Sequence, residues 1–136
     1  MILVDTSVWI DHLHSGDAHL SALLDHGMVQ THDFIIGEIA CGNLKNRQQT
    51  LYLLSCLPRC TATSSEETLF FIERHGLMGR GIGYVDASIL ASAVLVQASL
   101  WSRDKRLMAL AADLGSAHSP KSSESMEDHP HLSPEK

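Results

Sequence analysis

Ile2-Leu3-Val4-Asp5-Thr6-Ser7-Val8-Trp9-Ile10 carries the reading of the fold. Three consecutive apolar residues suit a short buried strand, and the run stops on a carboxylate. Thr6 or Ser7 can then cap a helix through Val8, Trp9, Ile10 and Leu13, which Gly16 ends. A strand that delivers an acid at its far end and passes straight into a helix is the opening of an α/β unit.

The same alternation continues downstream. Asp17 to Asp25 is a second helical stretch, with Leu20, Leu23 and Leu24 at helical spacing and Gly27 as its stop. Met28 to Thr31 reads as a second strand. Phe34 to Ala40 follows a helical pattern with Asp33 as N-cap, and Gly42 ends it. Arg47 to Leu57 repeats that pattern and Pro58 closes it. Arg59 to Thr63 reads as a short strand, and Ser65-Glu66-Glu67 as a helix start with acids at the positive end of the dipole. Four glycines between Gly76 and Gly83 mark a loop. Asp86 opens a strongly apolar helix, Ala87 to Val96. Leu100-Trp101-Ser102 is a further strand ending near Asp104, Lys105 to Leu114 a helix ended by Gly115, and a last strand is expected near Ala117. Strands alternating with helices predict an α/β sandwich around a mostly parallel sheet, in which ligands bind beyond the C-terminal strand ends. Asp5 and Asp104 fall at those places.

At 136 residues and 44% hydrophobic, the chain is sized for one domain, read here as residues 1–118. The polar composition of 119–136 predicts a disordered tail. The longest apolar stretch, Ala87 to Trp101, is broken by Ser88, Ser92, Gln97 and Ser99, so no membrane span is expected. Met1-Ile2-Leu3-Val4 lacks the basic flank of a signal peptide, and the expected location is cytoplasmic. Cys41, Cys56 and Cys60 form no familiar ligand spacing and are expected to be buried thiols in a reducing compartment. The formal net charge is -6, of which residues 116–136 contribute -2. Such an acidic chain is a poor non-specific binder of nucleic acid, so composition alone argues against an RNA substrate.

Four acids lie inside or beside apolar segments. Asp5 follows Ile-Leu-Val, Glu38 sits in Phe-Ile-Ile-Gly-Glu-Ile-Ala, Asp86 separates Gly-Tyr-Val from Ala-Ser-Ile-Leu, and Asp104 follows Leu-Trp-Ser-Arg. Charged acids in such surroundings are costly unless paired or metal-bound, and no basic residue nearby pairs obviously with Asp5 or Glu38. A shared hard cation satisfies several at once, and oxygen-only ligands favour Mg²⁺ or Mn²⁺ over Zn²⁺. One ion or a pair roughly 3.5–4 Å apart is equally compatible with the sequence. Each acid also has a plainer reading, as a helix cap for Asp5 or Asp86, a solvated-face residue for Glu38 and a turn residue for Asp104.

The segments around these acids resemble the motifs of PIN-domain nucleases. Val4 to Asp11 is similar to the opening motif, Ile36-Gly37-Glu38-Ile39 with Gly42 and Arg47 to the second, Gly81 to Ala91 to the third, and Leu100 to Leu107 to the fourth. The order and spacing match over roughly residues 1–118, and the short length resembles the VapC-type toxins. The resemblance implies an α/β/α sandwich, Mg²⁺ with Mn²⁺ as substitute, and endonucleolytic cleavage of RNA. It implies Asp5, Glu38, Asp86 and Asp104 as the catalytic and metal-holding acids, with Thr6 and Ser102 as hydroxyls supporting them. A VapB-like antitoxin that blocks the site and a homodimer are further implications. Divalent ions would add positive charge where the phosphate binds, and Arg80, Arg103, Lys105 and Arg106 lie near the motifs. Arg80, on the glycine loop, and Arg103 are the expected substrate contacts.

Other features point less sharply. His12, His14, His19, His26 and His32 form no zinc set. Trp9 and Trp101 sit in apolar segments and read as core. Asp11 reads as a surface acid, and part of the Leu51–Leu57 helix as a dimer face. A silent PIN-like binding module would have lost an acidic position, and none is lost. A phosphoacceptor receiver would need clustered acids after the first strand, which this spacing does not supply. A DNA or flap nuclease of related fold would need extra duplex-gripping elements for which the chain is short.

Overall fold

The computed structural model describes residues 1–120. Strand β1 (Ile2–Val4) leads into helices α1 (Thr6–Ser15) and α2 (Ala18–Asp25), then β2 (Val29–Gln30), α3 (Asp33–Ala40), α4 (Arg47–Ser55), α5 (Ser65–His75), α6 (Tyr84–Leu95), β3 (Ser99–Trp101) and α7 (Lys105–Asp113). The strand order is β2-β1-β3 and both pairings are parallel, Ile2 lying opposite Val29 on one side and Ser99 on the other. Single bridges extend both edges in the same sense, Thr31 to Arg59 and Leu100 to Ala117. Parallel strands need crossovers, which the helices supply on the flanks, giving an α/β/α sandwich.

The quoted opening segment is the heart of this fold. Leu3, Val4 and Val8 are fully buried, with Leu100, Leu107, Ile89 and Leu90 among the residues that share their core. Helix α6 is buried on nearly every side from Ala87 to Ala93, as expected for a helix without a polar face. Its two serines make that burial tolerable. Ser92 Oγ donates to the Ser88 carbonyl at 2.7 Å and accepts from the Thr63 amide at 3.1 Å. Trp9 and Trp101 are core residues, as expected. Among the described residues no helix is long and apolar enough to cross a membrane.

Several local expectations are corrected. Helix α1 is not capped by Thr6 or Ser7; it starts at Thr6 with Asp5 at the N-cap. Helix α6 starts at Tyr84, two residues before Asp86, because Gly83 supplies a backbone cap without a side-chain signal. The N-cap of α3 is His32 rather than Asp33. The imidazole Nδ1 accepts from the Phe34 amide at 3.0 Å, while Asp33 turns outward to Arg59 at 3.0 Å. Residues 59–63 contribute only the bridge at Arg59. Cys60 is buried, but Cys41 and Cys56 are exposed, and all three are free. The tail expectation falls, from residue 121 onward, outside the described residues.

Candidate functional site

Asp5 occupies the N-cap of α1 without spending its carboxylate there. Only its carbonyl serves the helix, accepting from the amides of Val8 at 3.1 Å and Trp9 at 3.3 Å. The side chain is 7% exposed and is held instead from β3. Ser102 Oγ donates to Asp5 Oδ2 at 2.7 Å and accepts from the Asp104 amide at 3.0 Å. One hydroxyl therefore links the two acids at the ends of adjacent strands. Ser7 adds a second link, donating to Asp5 Oδ2 at 3.3 Å and accepting from the Arg103 amide at 2.9 Å.

The other acids arrive from three helices. Glu38, on α3, receives the Thr6 hydroxyl on Oε1 at 2.6 Å, which ties the starts of α1 and the end of α3 together. Asp104 caps α7, its Oδ1 accepting from the amides of Arg106 at 2.9 Å and Leu107 at 3.2 Å. Asp86 lies in the first turn of α6 and is half-buried. Burial first, and then the charges of Asp5, Asp104 and Glu38, hold the Asp86 carboxyl above its ordinary value. Asp86 thus lies within charge range of the other three acids.

The hydrogen bonding has a common form. Asp5 is held by Oδ2, Glu38 by Oε1 and Asp104 by Oδ1, and among the described residues the second oxygen of each carries no hydrogen bond. Three carboxylates are oriented by one oxygen and keep the other open. That suits a hard cation, which takes oxygen donors and tolerates mixed protein and water ligation. Among the described residues no group of three or more His, Cys, Asp or Glu side chains stands close enough together to hold a metal ion as placed. The acids meet at the range of charge interaction rather than of ligand contact.

The two expected substrate arginines are engaged elsewhere. Arg103 donates to Asp11 at 3.0 Å and Asp17 at 2.9 Å, and its guanidinium lies 5.5 Å from the Trp101 ring centre. It staples the α1–α2 junction to the loop after β3. Asp11 is exposed, as read from the sequence, but serves this staple. Arg80 stands on the glycine loop and reaches Asp113 at 3.8 Å, with both side chains largely in solvent. Ser7 was visible in sequence only as a helix cap. Its signal is a hydroxyl two residues after a strand-end acid, a spacing that allows local hydrogen bonding.

The parallel α/β/α scaffold brings the acids that follow β1 and β3, Asp5 and Asp104, and Glu38 of α3 within charge range of Asp86 of α6. The PIN domain family model matches residues 2–113, and the chain belongs to that family. Within it, the chain is 47% identical over 118 residues to Ribonuclease VapC32 of Mycobacterium tuberculosis, spanning 86% of this chain and 95% of that one. Among solved structures it is similar to a toxin–antitoxin complex from Klebsiella pneumoniae, with TM-score 0.62 and 23% identity over 80% of this chain and 91% of that one. It is also similar to Mycobacterium tuberculosis VapC20, a sarcin-ricin loop cleaving toxin, with TM-score 0.59 and 22% identity over 80% of this chain and 94% of that one. At these identities the two structures speak for the fold.

Proposed function

We propose that this chain is a VapC-type toxin, an endoribonuclease that hydrolyses RNA phosphodiester bonds with Mg²⁺, or Mn²⁺ in its place. The observation that carries the reading is the set of half-used carboxylates on Asp5, Glu38 and Asp104, sharing a field with Asp86. The 47% identity to Ribonuclease VapC32 supports it. These four acids would hold the ion. When bound, it would supply Lewis acidity towards a phosphoryl oxygen and lower the pKa of water. Ser102 and Ser7 fix the Asp5 carboxylate, and Thr6 fixes Glu38, so these hydroxyls are positioning residues. A bound cation would offset the burial and the neighbouring negative charges that hold the Asp86 carboxyl above its ordinary value.

The remaining residues take narrower parts in this reading. Arg80 is proposed as an outer phosphate contact, since an exposed ion pair at 3.8 Å is weak and would yield to phosphate. Arg103 would act mainly by keeping the backbone of Ser102 to Asp104 in place. A hollow of about 310 Å³ beside Glu38, lined in part by Phe34 and Val85, offers room for a nucleotide next to the scissile bond. A VapB-like antitoxin, a homodimer and a cytoplasmic location complete the proposal. Two exposed apolar surfaces fit the partner roles, Tyr52 and Leu53 on α4, and Leu69 and Phe70 on α5 beside Leu95.

The testing experiment is cleavage of total bacterial RNA by purified protein with Mg²⁺, Mn²⁺ or EDTA. Discrete products that vanish in EDTA are expected. Intact RNA under both metals, with the protein folded, would refute the assignment. In the same assay Ser102→Ala is expected to lose about 10–100-fold in rate, the usual cost of removing an outer partner of a metal ligand. Its metal affinity, followed by titration calorimetry, should weaken by a similar factor.

A further inference from the structure

Arg106 is the second residue of α7, close in sequence to Asp104, and its side chain crosses to the glycine loop that precedes Asp86. A Cβ built on Gly81 would stand 2.6 Å from Arg106 Cδ and 2.8 Å from its Nη1. Gly81 also has φ +85°, so the loop needs glycine there for its backbone and for the passage of this side chain. The Arg106 side chain therefore passes close over Gly81, from the start of α7 to the loop that precedes α6.

The other arginines around the site carry ion pairs, close ones at Arg103 and a weak, exposed one at Arg80. Arg103 is held by two aspartates and Arg80 by Asp113, whereas Arg106 makes no ion pair or side-chain hydrogen bond among the described residues. It follows Asp104 by two residues, yet among the described residues its side chain pairs with no carboxylate. Its position also works against helix stability, because Lys105 and Arg106 put two cations in the first turn of α7, where the dipole favours anions. A planar cation with its donors open, kept at a small stability cost beside a cation-binding acid cluster, has the chemistry of a phosphate clamp.

We infer that Arg106 binds the backbone phosphate of the RNA strand next to the scissile bond, and that Gly81 is required because any side chain there would displace it. The inference rests on the ribonuclease reading and names the charge that brings an anionic substrate to an acidic protein. It also separates phosphate binding from the scaffold function of Arg103.

The test uses the full chain carrying Asp5→Asn to prevent cleavage, and a labelled random-sequence 12-nucleotide RNA. Binding is followed by anisotropy across a salt series, beside initial cleavage rates on total RNA without Asp5→Asn. Arg106→Ala is expected to weaken binding about tenfold and to reduce the slope of log K against log salt by about 0.7, one phosphate contact on a single strand. The rate loss should fall on KM more than kcat, with Tm unchanged or raised. Arg106→Lys should restore most of the salt slope. Gly81→Ala should weaken binding in the parent, and by less when Arg106 is already Ala, because only the strain of the positive φ then remains. An unchanged salt slope in Arg106→Ala, or a loss confined to Tm, would mark Arg106 as a loop staple and overturn the inference while parent cleavage leaves the ribonuclease reading intact. A parent that neither cleaves total RNA nor binds the oligonucleotide would overturn both.

Discussion

Asp5→Asn is expected to reduce RNA cleavage by at least about a hundredfold, more than the loss of an outer hydroxyl, while leaving the fold in place. Asn keeps the size of the side chain and an oxygen to receive the Ser102 hydroxyl at 2.7 Å. It removes the negative charge and one cation donor. In EDTA the variant should be no less stable than the parent, because the charge of Asp5 is among the causes that raise the Asp86 carboxyl. Adding Mg²⁺ reverses the order. The parent should gain about 1.4 kcal/mol at a concentration ten times the dissociation constant, since the ion binds only the folded state. The variant should gain far less. Thermal unfolding with a Mg²⁺ series reads both halves. A variant that cleaves like the parent, or a parent whose Tm ignores Mg²⁺, would remove Asp5 from the metal site.

Much of this was legible because the chain puts costly residues in telling places. Ile2-Leu3-Val4 could only be a buried strand, and an acid at its end had to be used by something. The α/β alternation followed from the same logic, as did the location of Asp104 after Leu100-Trp101. What stayed hidden were the contacts that cross the fold. Arg103 looked like a free cation next to a motif because Asp11 and Asp17 are 92 and 86 residues away in the chain. Asp33 looked like the cap of α3 because aspartate is a common N-cap. The structure gives that role to its neighbour, a residue type no sequence rule favours there. The start of α6 was missed for the opposite reason, since Gly83 caps with no side chain at all. Cys41 and Cys56 were expected to be buried from the odd cysteine count and the lack of a signal-peptide pattern, which say nothing of how far a residue just past a helix end is exposed.

His32 is where the second large effect is expected. It is fully buried and its two nitrogens are both committed. Nδ1 accepts from the Phe34 amide at 3.0 Å, so Nε2 carries the proton and donates to Ser92 Oγ at 3.1 Å. The ring thereby fastens the start of α3, which carries Glu38, to the central helix α6, which carries Asp86. His32→Ala should cost about 3 kcal/mol, near 1 for the lost cap and near 2 for the cavity, lowering Tm by roughly 10 °C. His32→Asn should recover the cap portion, because its side-chain oxygen can accept from the same amide.

The same residue gives the fold a pH dependence. Burial holds the His32 imidazole below its ordinary value of 6.5, outweighing the nearby Asp33 charge. The unfolded chain therefore takes up the proton first as pH falls. The stability that the neutral ring contributes is complete above pH 6.5 and drains away as pH drops from there towards the lowered folded value, at most about 1.4 kcal/mol per pH unit. His118, lowered by burial and by His19, adds in the same direction. Asp86 works against both at lower pH, since its raised carboxyl favours the folded state on protonation. The His32 contribution is consequently the difference between two urea-unfolding series, parent and His32→Asn, taken from pH 7.5 to 5.5. The parent should lose stability more steeply, with the gap between the curves closing as pH falls. Parallel curves would mean that folding leaves the ring's proton affinity unchanged, and a steeper loss in His32→Asn than in the parent would mean that the folded ring is charged and cannot accept the Phe34 amide that starts α3.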